Sequence, residues 1–250
     1  MKTLVISDIH NRIYWIEALI EFINPDKVIF LGDYFDNFQD NINEAIDTAK
    51  WLKRSLRYKN RIHLLGNHDA AYRYSGNNYI SSCPGFTRAK SFAINSILDQ
   101  ECWGKIKIFH LENNILYSHA GVSANTLEYF GLNFDINIQK WEDQAHIAAD
   151  KCIFHWVWAM GSRMNKPYPG GPLWEDIRYF RGIDINQIAG HSILPHPIIL
   201  RNQKTEKLVD DSSFDLSEEK LNIFFDTNNK HIVLIENNTI NIVKNCLCRI

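Results

Sequence analysis

The chain of 250 residues has 45% hydrophobic and 22% charged positions, a balance that excludes wholesale disorder and fibrous repeats. Its 27 Lys and Arg against 29 Asp and Glu give a formal charge of −2, which disfavours nucleic acid as a partner because a phosphate backbone selects a basic surplus. No apolar run reaches the ~20 residues that span a bilayer, and the five unpatterned cysteines read as reduced thiols. The expectation is a soluble cytoplasmic protein with no membrane partner, its residues 1–250 forming a single domain.

The first element is the apolar run TLVISD at 3–8, which ends in Asp8 and His10 where a secretory leader would need its apolar stretch. The same pattern, a short β-branched run closed by a polar cluster, recurs as KVIFLGD at 27–33, RIHLLGN at 61–67, NILYSH at 114–119 and QIAGH at 187–191. Runs of this length bounded by turn residues predict buried strands. Between the first two, Tyr14–Ile23 predicts a helix with Trp15, Leu19, Phe22 and Ile23 on one face, halted by Asn24 and Pro25. Between the second and third, Ile42, Ala45, Ile46, Ala49, Leu52 and Leu56 recur at helical spacing behind Asn41 and Glu44, which resemble a capping box. Strands alternating with helices predict an α/β fold. The polar clusters would then gather along one edge, beyond the carboxyl ends of the strands.

After His119 the pattern changes. Trp141, Ala145, Ala149, Cys152, Ile153, Trp156 and Met160 form one helical stripe, and PYPGGP at 167–172 forces a loop. Residues 123–182 are therefore expected to be a helical insertion over the cluster edge. Its tryptophans, Trp141, Trp156, Trp158 and Trp174, read mainly as core, although one facing the clusters could stack an aromatic group. Short alternating runs follow, and His231–Ile235 with Thr239–Val243 predicts a β-hairpin.

No single cluster says much, but five in order do. Asp8 and His10, GDYFD at 32–36, GNHD at 66–69, SHAG at 118–121 and GHS at 190–192 resemble the five motifs of the calcineurin-like metallophosphoesterases. The resemblance runs from Thr3 to about Ile193. It is closest to the phosphoprotein-phosphatase branch and its bacterial and phage relatives, through the His-Ala-Gly after the fourth run and LWED at 173–176. It implies a metallophosphoesterase-type β-sandwich flanked by helices, and a hydrolase of phosphate esters.

Two cations ~3.5–4 Å apart need a shared anion between them, and the resemblance gives that place to Asp33. It implies that Asp8 and His10 complete the first metal site, and that Asn67, His119 and His191 complete the second. This mixed N/O set without thiolate suits two divalent or trivalent ions among Mn, Fe, Zn, Co and Ni, with manganese favoured. Water bridging two such ions deprotonates near neutral pH, so the expected reaction is attack of a metal-bridging hydroxide on phosphorus. The resemblance makes His68 the acid that protonates the leaving alkoxide and Asp36 the group that holds its ring.

Other histidines read as structural: His63 and His155 as packing residues, His110, His146 and His231 without a partner pattern. Many superfamily members carry a further ligating His at the position of Ile193, and His196 is left out of the metal site. Where phosphoprotein phosphatases place a phosphate-gripping Arg, this chain has Asn37, so Arg178, Arg181 and Arg12 are the candidates for substrate binding. The expected activity is a phosphomonoesterase of the protein serine/threonine phosphatase type, its substrate a phosphoprotein, nucleotide or small phosphate ester. The alternatives are a symmetrical dinucleoside polyphosphate hydrolase, a phosphodiesterase, and a scaffold of the same fold without catalysis.

Overall fold

β-branched and aliphatic runs bounded by turns become the strands of two sheets in the computed structural model. It describes residues 1–250 except 38, 81–82, 135–136, 167, 202–203, 208–211, 217–219 and 250, and describes 163–164, 204–205, 207 and 249 by backbone alone. In chain order the first elements are β1 (Lys2–Ile6), α1 (Ile16–Ile23), β2 (Lys27–Phe30), α2 (Ile42–Ser55), β3 (Arg61–His63), α3 (Asn67–Arg73), α4 (Arg88–Ile97) and α5 (Gln100–Gly104). Then come β4 (Phe109–Glu112), β5 (Ile115–Ser118), α6 (Ala124–Tyr129), α7 (Ile138–Asp150), β6 (Asn186–Ala189), β7 (Ile198–Arg201) and β8 (Lys204–Lys207). The chain closes with β9 (Ser213–Asp215), β10 (Asn222–Phe224), β11 (His231–Glu236) and β12 (Thr239–Lys244).

One six-stranded sheet has the order β3-β2-β1-β11-β12-β9 and the other β4-β5-β6-β10-β7-β8. β1, β2 and β3 are parallel neighbours, as are β5 and β6. The five polar clusters therefore leave two sheets, not the single sheet edge expected from the alternation of strands and helices. They meet because both parallel sets end at the same rim, where the His191 amide after β6 donates to the Asp8 carboxylate after β1 at 3.1 Å.

Alternation along β1 sets the layers. Val5 joins Ile29, Val233, Ile240, Ile115, Tyr117, Ile188 and Ile223 between the sheets. Leu4 and Ile6 face the other way, against Ile16, Leu19, Ala45, Ala49 and Leu52 of α1 and α2. Both faces of the strand are buried, which explains why its sequence is continuously apolar. The Asn41 side chain accepts from the amides of Asn43 and Glu44, and the Asn41 amide donates to the Glu44 carboxylate, so α2 opens with a true capping box.

Two local expectations need correction. α1 buries Ile16 and Leu19 but leaves Phe22 83% exposed, because the sheet covers a narrower stripe than the apolar pattern offers. The stripe from 141 to 160 is not one helix. α7 stops at Asp150, Cys152 takes a left-handed φ of 51°, Ile153 is exposed, and Trp156 restarts in a separate 3₁₀ turn. The loop expected at 167–172 begins outside the described residues, at position 167. The C-terminal hairpin pairs His231 with Lys244 through Glu236 with Thr239, turning on Asn237 and Asn238 at φ 51° and 64°. Among the described residues no helix is long and apolar enough to cross a membrane.

Candidate metal centre

Three of the five strand ends deliver their polar side chains through a turn that ordinary L-residues avoid. Asp8, His10, Asp33, Asp36 and His191 have φ of 41°, 47°, 51°, 65° and 64°. Left-handed non-glycine residues cost free energy and persist where surrounding structure over-determines them, often at functional sites. Two glycines show how tight the setting is. A Cβ on Gly66 would meet Asp33 Oδ1 at 2.0 Å, and a Cβ on Gly190 would meet Asp8 Oδ2 at 2.0 Å. Backbone amides hold both carboxylates: His68 N donates to Asp33 Oδ1 at 3.0 Å, and His191 N to Asp8 at 3.1 Å.

Two clusters of possible ligands result, Asp8 with His10 and Asp33, and Asp33 with His119 and His191. Asp33 belongs to both. Its Oδ2 lies 3.8 Å from His10 Nε2 and 3.4 Å from His119 Nε2. Second contacts fix which atom each side chain offers. His10 Nδ1 donates to the Phe35 carbonyl at 3.1 Å and His119 Nδ1 to the Leu31 carbonyl at 3.0 Å, so each turns an Nε2 lone pair inward. Asn67 Nδ2 donates to Cys83 Sγ at 3.2 Å, which leaves its Oδ1 2.9 Å from His119 Nε2.

His191 Nδ1 stands 3.1 Å from the same Nε2. Asn67 Oδ1, His119 Nε2, His191 Nδ1 and Asp33 Oδ2 thus converge as lone-pair donors on one point, which is the arrangement a cation fits. The electrostatics agree. Burial alone would depress the His119 ring, yet the Asp33 charge and its hydrogen bond raise it to about 9. Burial alone would raise Asp33, yet the rings of His119, His68 and His10 hold its carboxyl below the usual range. Burial and the neighbouring Asp226 raise Asp8 well above its usual value. The site favours positive charge at its centre.

His68 sits beside this centre, its ring 5.3 Å from that of His10. Its Nδ1 donates to Asp36 Oδ2 at 3.0 Å. Tyr72 Oη at 2.5 Å and Lys90 Nζ at 2.7 Å donate to the other oxygen of Asp36. Lys90 Nζ also reaches both Asp40 oxygens at 3.0 Å, and Asp40 accepts from Asn11 Nδ2 at 2.7 Å. Although burial would raise Asp36, these donors keep it ionised, and although burial would lower His68, Asp33 and Asp36 raise it. The side chains of His10 and His68 are 18% and 11% exposed, while those of Asp33 and His119 are buried. Solvent therefore reaches the centre over these two rings.

The calcineurin-like phosphoesterase family model matches residues 1–195. The chain belongs to that family. As a calcineurin-like phosphoesterase it is a metal-dependent hydrolase of phosphate esters, and the fold comparisons agree. It is similar to a metallophosphoesterase from Sphaerobacter thermophilus (TM-score 0.51, 16% identity, 98% of this chain and 87% of that one). It is also similar to a cold-active protein-tyrosine phosphatase of a psychrophilic Shewanella species (TM-score 0.57, 15% identity, 95% and 76%). At such identities the likeness concerns the fold. Among curated proteins no sequence matches this chain.

In this calcineurin-like phosphoesterase each of the three candidate arginines engages a different partner. Arg178 is 71% exposed and forks onto Asp176, with Nη2 2.6 Å from Oδ2, and Arg181 pairs with Glu128. Arg12 is half-buried, its guanidinium 3.5 Å from the Asn228 carbonyl. Ile193 is 58% exposed and brings no donor. Trp174 packs edge-on against His191 with ring centroids 6.0 Å apart and so touches the site, whereas Trp141 and Trp156 pack on each other.

Several residues of the site escaped sequence reading. Asp69 is buried and accepts from the amides of Asp33, Tyr34 and Gly66 at 2.7, 2.9 and 2.9 Å, tying the second motif to the third. Its place in GNHD was its only signal. Lys90, Tyr72 and Asp40 had none, because they belong to helices and loops without a motif. Asn229 Nδ2 donates to the Asp8 carbonyl at 3.2 Å from a turn far along the chain.

Proposed function

We propose that the protein is a phosphomonoesterase of the protein serine/threonine phosphatase-like type, working with two transition-metal ions of which manganese is the favoured pair. One observation carries this reading. Asp33 Oδ2 is shared between the His10 side and the His119 side of the centre, at 3.8 and 3.4 Å, the position a bridging carboxylate needs. Asp8 and His10 would hold the first ion with Asp33, and Asn67, His119 and His191 would hold the second. When bound, the ions supply an activated water and neutralise charge on the phosphoryl oxygens.

The chain's own groups do the rest. His68 faces the half-open side and gives its Nε2 proton to the leaving oxygen. Asp36, fixed by Tyr72 and Lys90, holds Nδ1 so that the ring presents that proton. Asp69 keeps the turn at Asp33 in place through three amide hydrogen bonds. Trp174 packs edge-on beside His191 and walls that side of the centre.

A substrate panel on manganese-loaded protein tests the reading. p-Nitrophenyl phosphate and a phosphoserine peptide should be hydrolysed well and bis-p-nitrophenyl phosphate poorly. Preference for the bis ester would make the protein a phosphodiesterase and overturn the proposal.

A further inference from the structure

A cavity of about 560 Å³ opens beside the loop that follows His10. Arg12, His196, Lys230, His231 and Lys244 line it together with neutral residues, and the described lining contains no Asp or Glu. Arg12 and Lys230 therefore meet no carboxylate among the described residues that line it. Both line it together with Cys248, whose thiol burial raises and the two cations pull back. His231 is already bonded to Thr227 at 2.9 Å, so Arg12, Lys230 and His196 are the groups that face an occupant.

The cavity adjoins the metal centre. Arg12 lies two residues beyond His10, and its amide donates to the Ile9 carbonyl at 3.0 Å. On the far wall, Asn228 accepts from Arg12, and its neighbour Asn229 donates to the Asp8 carbonyl at 3.2 Å. One rim of the cavity and the first metal cluster thus share two loops. A concave, cation-lined space of this volume suits part of a small anionic molecule, and a macromolecular partner would need a longer groove. Arg12 also borders a neighbouring pocket that holds Glu44 and Asp47, but into this cavity a guanidinium and an ammonium group face together, a pairing that selects phosphate.

We propose that this cavity is a second anion subsite, holding a phosphate group of the substrate other than the scissile one, so that the preferred substrates are small molecules with two phosphates several bonds apart. The proposal rests on the phosphoesterase reading of the neighbouring centre. It also gives Arg12 a task distinct from gripping the scissile phosphate.

Manganese-loaded protein, fructose 1,6-bisphosphate and fructose 6-phosphate provide the test. KM for the bisphosphate should be about ten-fold or more below that for the monophosphate, the range expected of a charge-assisted contact. In Lys230→Glu and in Arg12→Ala that ratio should fall toward one. Calorimetric binding of the two sugars should show the same preference and the same loss. Hydrolysis without preference for the bisphosphate would overturn the subsite and leave the phosphoesterase reading intact. Absent hydrolysis, with the binding preference present in wild type and lost in Lys230→Glu, would overturn that reading and keep the subsite. A preference shown only by an acidic phosphopeptide would assign the cavity to a protein partner and overturn the proposal.

Discussion

Lys90 Nζ lies 2.7 Å from Asp36 Oδ1 and 3.0 Å from both oxygens of Asp40, with all three side chains buried. One ammonium thus serves two carboxylates in the loop after β2. Lys90→Met would leave both without their cation, and removing one partner of a buried pair costs about 3–5 kcal/mol. Denaturant titration should show a loss of that size, with Lys90→Arg losing less. A Lys90→Met variant within about 1 kcal/mol of wild type would show that His68 and Asn11 suffice.

A general acid matters in proportion to the leaving group's need for a proton. p-Nitrophenolate leaves without help, and a serine-like alkoxide does not. His68→Asn should keep both metals and lose roughly 10²–10⁴-fold on an alkyl phosphate, but distinctly less on p-nitrophenyl phosphate where chemistry limits the rate. Asp36→Asn should follow the same pattern more mildly. Equal losses on both esters, with metal content unchanged and chemistry limiting, would remove His68 from the acid role.

Gly190 offers a test of the first cluster that touches no ligand. Its added Cβ would fall 2.0 Å from Asp8 Oδ2, so in Gly190→Ala the carboxylate must swing away. The expected result is loss of one ion per chain by elemental analysis, with the second retained and little change in melting temperature. Two tightly held ions would mean that the turn yields instead of Asp8.

His63 makes a pH prediction. It stacks on Phe30 with ring centroids 4.6 Å apart, bonded to Tyr34 Oη and Ser55 Oγ at 3.0 Å each. Burial, with Arg61 adding to it, pushes the ring from 6.5 down to about 3. Below pH 6.5 the unfolded chain takes a proton there that the native state refuses, so the ring's contribution favours folding less as pH falls toward 3. The slope is at most about 1.4 kcal/mol per pH unit. The stability difference between wild type and His63→Gln should shrink at that rate between about pH 5.5 and 4. Parallel curves would show that the native ring accepts the proton.

Sequence reading found what is encoded locally. The capping box at Asn41, the apolar strand runs and the polar cluster at each run's end are short-range patterns, and the structure brings the clustered residues together. Reading failed where partners are remote or where the environment selects among equal patterns. Phe22 has the right spacing for the buried face of α1, but no sheet reaches it. Lys90 looks like any helical lysine until α4 packs beside Asp36, 54 residues earlier. Arg12 and Lys230 share a cavity only because β11 and β12 pack alongside β1. The break after Asp150 depends on the left-handed Cys152, which carries no glycine to announce it.

The two halves of the centre differ in when the chain can build them. Asp8, His10 and Asp33 all follow strands of one parallel βαβ unit, whereas His119 and His191 arrive from the other sheet. Closing the first needs a loop of a few tens of residues, and closing the second needs the sheets to dock across far longer separations. Refolding in the presence of Co²⁺ should therefore be sequential, one ion entering with the N-terminal strands and the other only as the sandwich shuts. In that order the second ion would act as a latch on the finished structure, and its dissociation should precede unfolding.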